Sequence, residues 1–207
     1  GSQFLRFGEN GPESVFEIQY SNQSNWYDWG CAHCSEGNYA IIMNGPRGWS
    51  GPEYAQGWSF NVPTEEFYNS FEEGDSRRDA TVLDIEAFAA ATGSSYTEGY
   101  DHTGYFNNKY IPRAGESGGQ TELNYLTNFR IIRYSDVLLM AAEAYNRGGI
   151  DDGLAQEFLN QVRRRAFGDN DHDISASGTA LTDAIWEERK FELSLEGHRF
   201  FDLVRTG

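Results

Sequence analysis

The chain has 207 residues, 39% of them hydrophobic and 15% aromatic, which is ample for a globular core and too apolar for a disordered chain. With 16 Lys and Arg against 32 Asp and Glu the formal net charge is −16, so the surface repels phosphate backbones and anionic lipid headgroups and leaves neutral ligands, cations or a protein partner. No run approaches the roughly 18–20 apolar residues of a membrane-spanning helix, and the opening "GSQFLRFGEN" has no signal-peptide progression.

In chain order, "SVFEIQYS" alternates Val15, Glu17 and Gln19 against Phe16, Ile18 and Tyr20, the period of a half-buried strand. "SNQSNWYDWG" follows as a loop, and then "CAHC" brings Cys31 and Cys34 together. A redox C-x-x-C would follow a strand and open a helix, but Gly30, Gly37 and Asn38 surround this one. Zinc would need two more ligands, and beyond His33 the histidines His102, His172 and His198 are scattered. A local disulfide in an oxidising compartment, or two idle thiols, fits better, and the compartment stays open. "YAIIMN" reads as a second, weaker strand, and "NGPRGWSGPEYAQGWSF" as a loop by its Gly, Pro and Asn content. "PTEEFYNSFEEG" predicts a short helix capped by Thr64, with Glu65 and Glu66 at its positive end, Phe67, Tyr68 and Phe71 inward, and Gly74 at its close.

The second half, from Tyr125, is helical in pattern. "RYSDVLLMAAEAYNRGG" is nearly apolar all round from Val137 to Ala144, so burial on more than one side is expected, with Gly148 and Gly149 as the stop. "DDGLAQEFLNQVRRRAFG" repeats Leu154, Phe158, Leu159, Val162 and Ala166 at helical spacing, with acids at its start and arginines at its end as the helix dipole favours. Asp169, Asp171 and Asp173 in "GDNDHD" begin like a calcium loop, but Ile174 and Ala180 stand where Gly and Glu are needed, so this is a solvated acidic loop. A last helix opens near Thr179 or Thr182 with a buried stripe of Leu181, Ala184, Ile185, Phe191 and Leu195. Glu188, Glu192 and Glu196 share another face, with Arg189 and Arg199 spaced to neutralise them; Gly197 ends the helix and "HRFFDLV" turns Phe200 and Phe201 into the core. The geometry favours a salt-bridged helix with a structural His198 over a catalytic carboxylate cluster.

The succession "ENGPESVFEIQYS", "GWSFNVPTEEFYNSFEEGDSRRDATVL", "NFRIIRYSDVLLMAAEAYNRGG", "LNQVRRRAFG" and "AIWEERKFELSLEGHRFFDLVRTG" resembles the consecutive blocks of the SusD/RagB family. The resemblance covers nearly the whole chain, but only the middle and later part of a family member. It implies a mainly α fold in which tetratricopeptide-like helix pairs form a scaffold, with long irregular loops and a few short strands. Residues 1–207 would then be one partial SusD/RagB-like domain, loop-rich and aromatic over 1–124 and a helical scaffold over 125–207. It also implies a surface-exposed outer-membrane lipoprotein of Bacteroidetes type that binds oligosaccharide or another nutrient and passes it to a SusC-type TonB-dependent transporter. It implies no cofactor and no catalysis, and attachment to the membrane only through a lipid anchor outside these residues. Gly1-Ser2 and the end at "RTG" read as cut ends, and Gly74-Asp75-Ser76-Arg77 replaces the family's usual G-D-P-R in what should be a turn.

Sugar recognition sets aromatic planes against the apolar faces of pyranose rings and planar amides or acids against hydroxyls. One loop supplies Asn25, Trp26, Tyr27, Asp28 and Trp29, and the next supplies Trp49, Tyr54 and Trp58. Of these, Trp58 precedes a motif block and reads as packing, leaving Asn25 to Trp29, Trp49 and Tyr54 as the candidate ligand residues. Two other classes compete: a glycoside hydrolase using a carboxyl pair such as Asp28 and Glu53, and a helical-repeat adaptor whose ligand is a protein.

Overall fold

In the computed structural model, residues 1–23, 36–117 and 124–207 are described. Among the described residues the strands and α-helices follow in this order: β1 (Ser14–Ile18), α1 (Ala40–Met43), β2 (Arg47–Ser50), α2 (Glu65–Asn69), α3 (Arg77–Thr81), β3 (Val82–Asp84), α4 (Ile85–Thr92), β4 (Ser95–Thr97), β5 (Tyr105–Asn107), β6 (Phe129–Arg133), α5 (Tyr134–Arg147), α6 (Asp152–Phe167), α7 (Gly178–Glu192) and α8 (Arg199–Thr206). These strands pair as two-stranded ladders, β1 with β6, β2 with β4 and β3 with β5. The fold is therefore mainly helical, with strands as staples.

The chain separates into two compact units whose boundaries interleave: Gly1–Gly11, Glu17–Ser70 and Arg78–Phe129 form the first, and Pro12–Phe16, Phe71–Arg77 and Arg130–Gly207 the second. The first has two small aromatic-rich cores. One gathers Phe4, Ile41, Ile42, Tyr110 and Tyr125, and the other Tyr54, Leu83, Ile85, Phe106 and Ile111. The expected strand at 39–44 is instead the single helical turn α1. Its neighbours Ile41 and Ile42 are both buried, which an alternating strand facing solvent would forbid. The turn is started by Asn38, whose Oδ1 accepts from Ala40 N–H at 3.1 Å. The helix at Thr64 is capped as expected, Thr64 Oγ1 accepting from Phe67 N–H at 3.2 Å, but it stops at Asn69 rather than reaching Gly74. There the Ser70 hydroxyl donates to the Phe67 carbonyl at 2.7 Å and closes the turn.

The second unit is a helical layer around Leu138, Leu139, Ala142, Ala155, Leu159, Val162, Leu181 and Ile185, contributed by α5, α6 and α7. α6 has the expected ends: Asp151 accepts from Leu154 N–H at 2.9 Å, and Gly168 takes a left-handed φ of 83° while donating to the Arg164 carbonyl. α5 is less enclosed than its apolar run suggests, since Met140 is exposed while Asp136, Glu143 and Asn146 are buried. α7 ends at Glu192, one turn earlier than Gly197 predicts, and Leu195 follows at a φ of 63°. Phe200 and Phe201 are not in the core: they are 70% and 68% exposed on α8.

Candidate functional site

Asn25, Trp26, Tyr27, Asp28 and Trp29 lie outside the described residues, as do Cys31 and Cys34. Trp49 and Tyr54 are described, and the fold brings them together. Trp49 leaves β2 toward Tyr54, with centroids 5.9 Å apart at 71°, and both rings meet Phe88 of α4, at 5.9 Å and 5.0 Å. The two contacts of Tyr54 are edge-to-face, a favoured arrangement of aromatic quadrupoles, while Trp49 and Phe88 meet at a 39° tilt, and the triple packs into the second core of the first unit. Tyr54 is only 5% exposed, so it can offer a ligand its hydroxyl edge but not its face. Burial, with Glu53 adding to it, pushes the Tyr54 phenol above its ordinary value, so it stays a neutral donor. Trp58 packs against the first core as its position suggested.

Sequence reasoning passed over exposed rings of this unit, Phe60 and Tyr100 among them. Phe60 is 51% exposed, held by the edge of Trp58 and with the Arg47 guanidinium 5.7 Å from its centroid. Tyr100 is 92% exposed. The available signal was the one already used for the loop tryptophans: an aromatic residue in Gly-rich loop sequence, here in "EGYDHTG".

The acids of the C-terminal block have a different fate from the one predicted. Glu188, Glu192 and Glu196 do share a direction, but it is inward, with side chains 2% exposed or less. Their partners are not Arg189 and Arg199. Glu188 accepts from Arg77 and, at 2.9 Å, from Arg163; Glu192 accepts from Arg133 at 3.0 Å and from Arg165; Glu196 takes both prongs of Arg133. Arg189 instead joins Asp136 and Asp202. The carboxylates raise Arg133 well above its ordinary value even though burial opposes it. A general acid must reach a substrate proton and exchange its own. These carboxylates, enclosed and saturated with guanidinium donors, can do neither.

The acidic loop is also occupied internally. Arg164 holds Asp173 through Nε at 3.0 Å, and His172 Nδ1 lies 3.0 Å from Asp169. No set of three or more His, Cys, Asp or Glu side chains among the described residues is placed to hold a metal ion.

The sequence profile of the SusD family matches residues 84–207, more than half of the chain and the whole helical layer just described. The chain belongs to the SusD family. Its SusD fold is also that of solved structures at useful identity. Surface glycan-binding protein A from Bacteroides thetaiotaomicron, in complex with laminarihexaose, is 35% identical, with a TM-score of 0.87 over 100% of this chain and 45% of that one. A laminarin-binding SusD-like protein is 39% identical, with a TM-score of 0.83 over 100% of this chain and 44% of that one. Among curated relatives, SusD-like protein P2 of Formosa agariphila is 32% identical across 93% of this chain and 39% of the relative. This SusD chain therefore spans about two fifths of the length of such relatives.

Proposed function

We propose that this chain is part of a cell-surface glycan-binding protein that captures a laminarin-type glucan and hands oligosaccharide to a SusC-type TonB-dependent transporter. In this reading it is an outer-membrane lipoprotein whose anchor lies outside these residues, and it binds without turnover. One observation carries the ligand class: the match at a TM-score of 0.87 and 35% identity, over the full chain, to a protein held in complex with laminarihexaose. Two physical features support it. A net charge of −16 disfavours polyanionic ligands and leaves neutral glucans acceptable. The locked state of Glu188, Glu192 and Glu196 removes the C-terminal acids as catalysts. Asn25, Trp26, Tyr27, Asp28 and Trp29 form the stacking loop in this proposal, and Trp49 and Tyr54 belong to the aromatic support of the first unit.

Affinity electrophoresis through gels containing laminarin, starch or xylan tests it, with the Trp26→Ala/Trp29→Ala double variant alongside. Retardation in laminarin alone, lost in the variant, is the expected result. A chain that migrates freely in all three gels sinks the glycan assignment, and retention with unchanged mobility of the variant moves the site off the loop.

A further inference from the structure

We propose that the notch beside Tyr54 is a saccharide-hydroxyl site in which Glu53 and Arg113 grip two neighbouring hydroxyls of one sugar ring. The proposal rests on the glycan-binding reading and supplies it with residues that no comparison assigns. The notch has a volume of about 290 Å³ and is walled by Gly1 and Ser2 together with Leu5, Glu53, Tyr54, Ala80, Asn108 and Arg113, all within the first unit. That is the lower end of ligand-pocket sizes, about 300–1,000 Å³, and suits a single pyranose ring better than a long ligand.

Its backbones and its guanidinium are fixed in advance. Tyr54 and Arg113 face each other as an antiparallel bridge pair, extended on either side by Ala55 N–H to the Pro112 carbonyl at 2.9 Å and Ala114 N–H to the Glu53 carbonyl at 3.0 Å. This ladder holds the two backbones, and the Arg113 side chain is held in turn, while the Glu53 carboxylate is half exposed to an incoming ligand. The Arg113 guanidinium lies 5.4 Å from the Tyr54 ring centroid, and its Nη2 donates to the Asn108 carbonyl at 3.1 Å. Its Nη1 stands 3.7 Å from Glu53 Oε1, too far for a hydrogen bond. Carboxylate and guanidinium thus neutralise each other without consuming each other's donors and acceptors.

That separation is the chemical argument. A hydroxyl both donates and accepts, so two adjacent hydroxyls present a donor to Glu53 and an acceptor to Arg113 at once. An anion at Arg113 would meet the Glu53 charge, and a cation at Glu53 would meet Arg113, so the pair selects a neutral ligand. Leu5 and Ala80 supply the apolar wall that the C–H side of a ring requires. The backbone agrees: Glu53 is held at a φ of 69°, a left-handed conformation that costs a non-glycine residue free energy and recurs where a side chain is aimed for a purpose.

The test is affinity electrophoresis of the 207-residue chain and of its Glu53→Gln and Arg113→Lys variants in gels of laminarin, starch and xylan, followed by titration of laminarihexaose at low and high salt. Both variants keep the size of the side chain, and unchanged melting temperatures establish that they fold. The expected result is a loss of about tenfold in affinity for each variant, with wild-type binding insensitive to salt because the ligand is neutral. Wild-type affinity in both folded variants overturns the notch while leaving the glycan reading intact. A wild-type chain retarded by none of the gels overturns both.

Discussion

Arg133 and Glu196 form a two-pronged ion pair, Nε to Oε2 at 2.7 Å and Nη2 to Oε1 at 2.8 Å, with the two side chains 2% and 0% exposed. The same guanidinium donates through Nη1 to Glu13 at 2.9 Å and to Ser135 at 2.7 Å, so one residue of β6 ties together Glu13, Glu192, Ser135 and Glu196 of the second unit. Removing the cation strands buried carboxylates. Arg133→Met should therefore cost about 3–5 kcal/mol. Arg133→Lys should recover only part of that, because an ammonium cannot reproduce the fork. Guanidinium chloride unfolding measures both, and a loss below about 1 kcal/mol for Arg133→Met would show that water enters and solvates the acids.

How far the sequence reveals this arrangement depends on range. Local rules found α6 to within a residue, because Asp151 and Gly168 decide its ends through contacts three or four residues away. They failed at 39–44, where two consecutive buried isoleucines required a turn that no local propensity demanded. They also misjudged the Glu188, Glu192 and Glu196 face. Helical spacing offers only partners three or four residues distant, while the true partners Arg77 and Arg133 are 111 and 63 residues away. The proposed notch was legible to the same degree. Tyr54 stood out by composition, but the approach of Arg113 to Glu53 is made by a strand bridge that spacing cannot show.

Glu143 supplies a pH-dependent clamp between α5 and α8. Burial pushes its carboxyl up, but hydrogen bonds from Arg205 at 2.7 Å and Arg147 at 2.8 Å outweigh this and bring it from an ordinary 4.5 down to about 2. A lowered folded value means that the stabilisation is complete above the unfolded value and is lost as pH falls from about 4.5 through about 2. Urea midpoints across that window should fall more steeply for the wild type than for Glu143→Gln, which has no proton to gain. Parallel curves would place the acid sensitivity of the second unit elsewhere.

Asp151 and Asp169 provide a matched pair of exposed acids with unequal duties. Asp151 accepts from Leu154 N–H at the start of α6, whereas Asp169 serves only a surface turn with Asp171 and His172. Asp151→Ala should cost about 1 kcal/mol through loss of the cap, and Asp169→Ala should stay within about 0.5 kcal/mol of wild type. Thermal unfolding of the two single variants separates them, and equal losses would mean that the acidic loop carries more of the fold than its exposure indicates.

The outward placement of Phe200 and Phe201 follows from one buried acid. Asp202 points inward on α8, accepting from Arg189 Nε, and from Arg205 Nε at 2.9 Å. On a helix each residue turns about 100°, so residues one and two positions away from an inward side chain project sideways and outward. Phe200, Phe201, Leu203 and Val204 occupy those positions and are exposed. The ionic anchor sets the rotation of α8 against the pull of its apolar residues, because turning the phenylalanines inward would leave Arg189 with one carboxylate fewer in a buried setting. In the 207-residue chain Phe200→Ser and Phe201→Ser should each change stability by no more than about 0.5 kcal/mol. Phe191→Ala, which removes a buried ring packed at 4.9 Å on Phe71, should cost about 3–5 kcal/mol. Chemical denaturation of the three variants decides the rotation of α8: a penalty at Phe201 matching that at Phe191 would place the ring in the core and turn Asp202 outward.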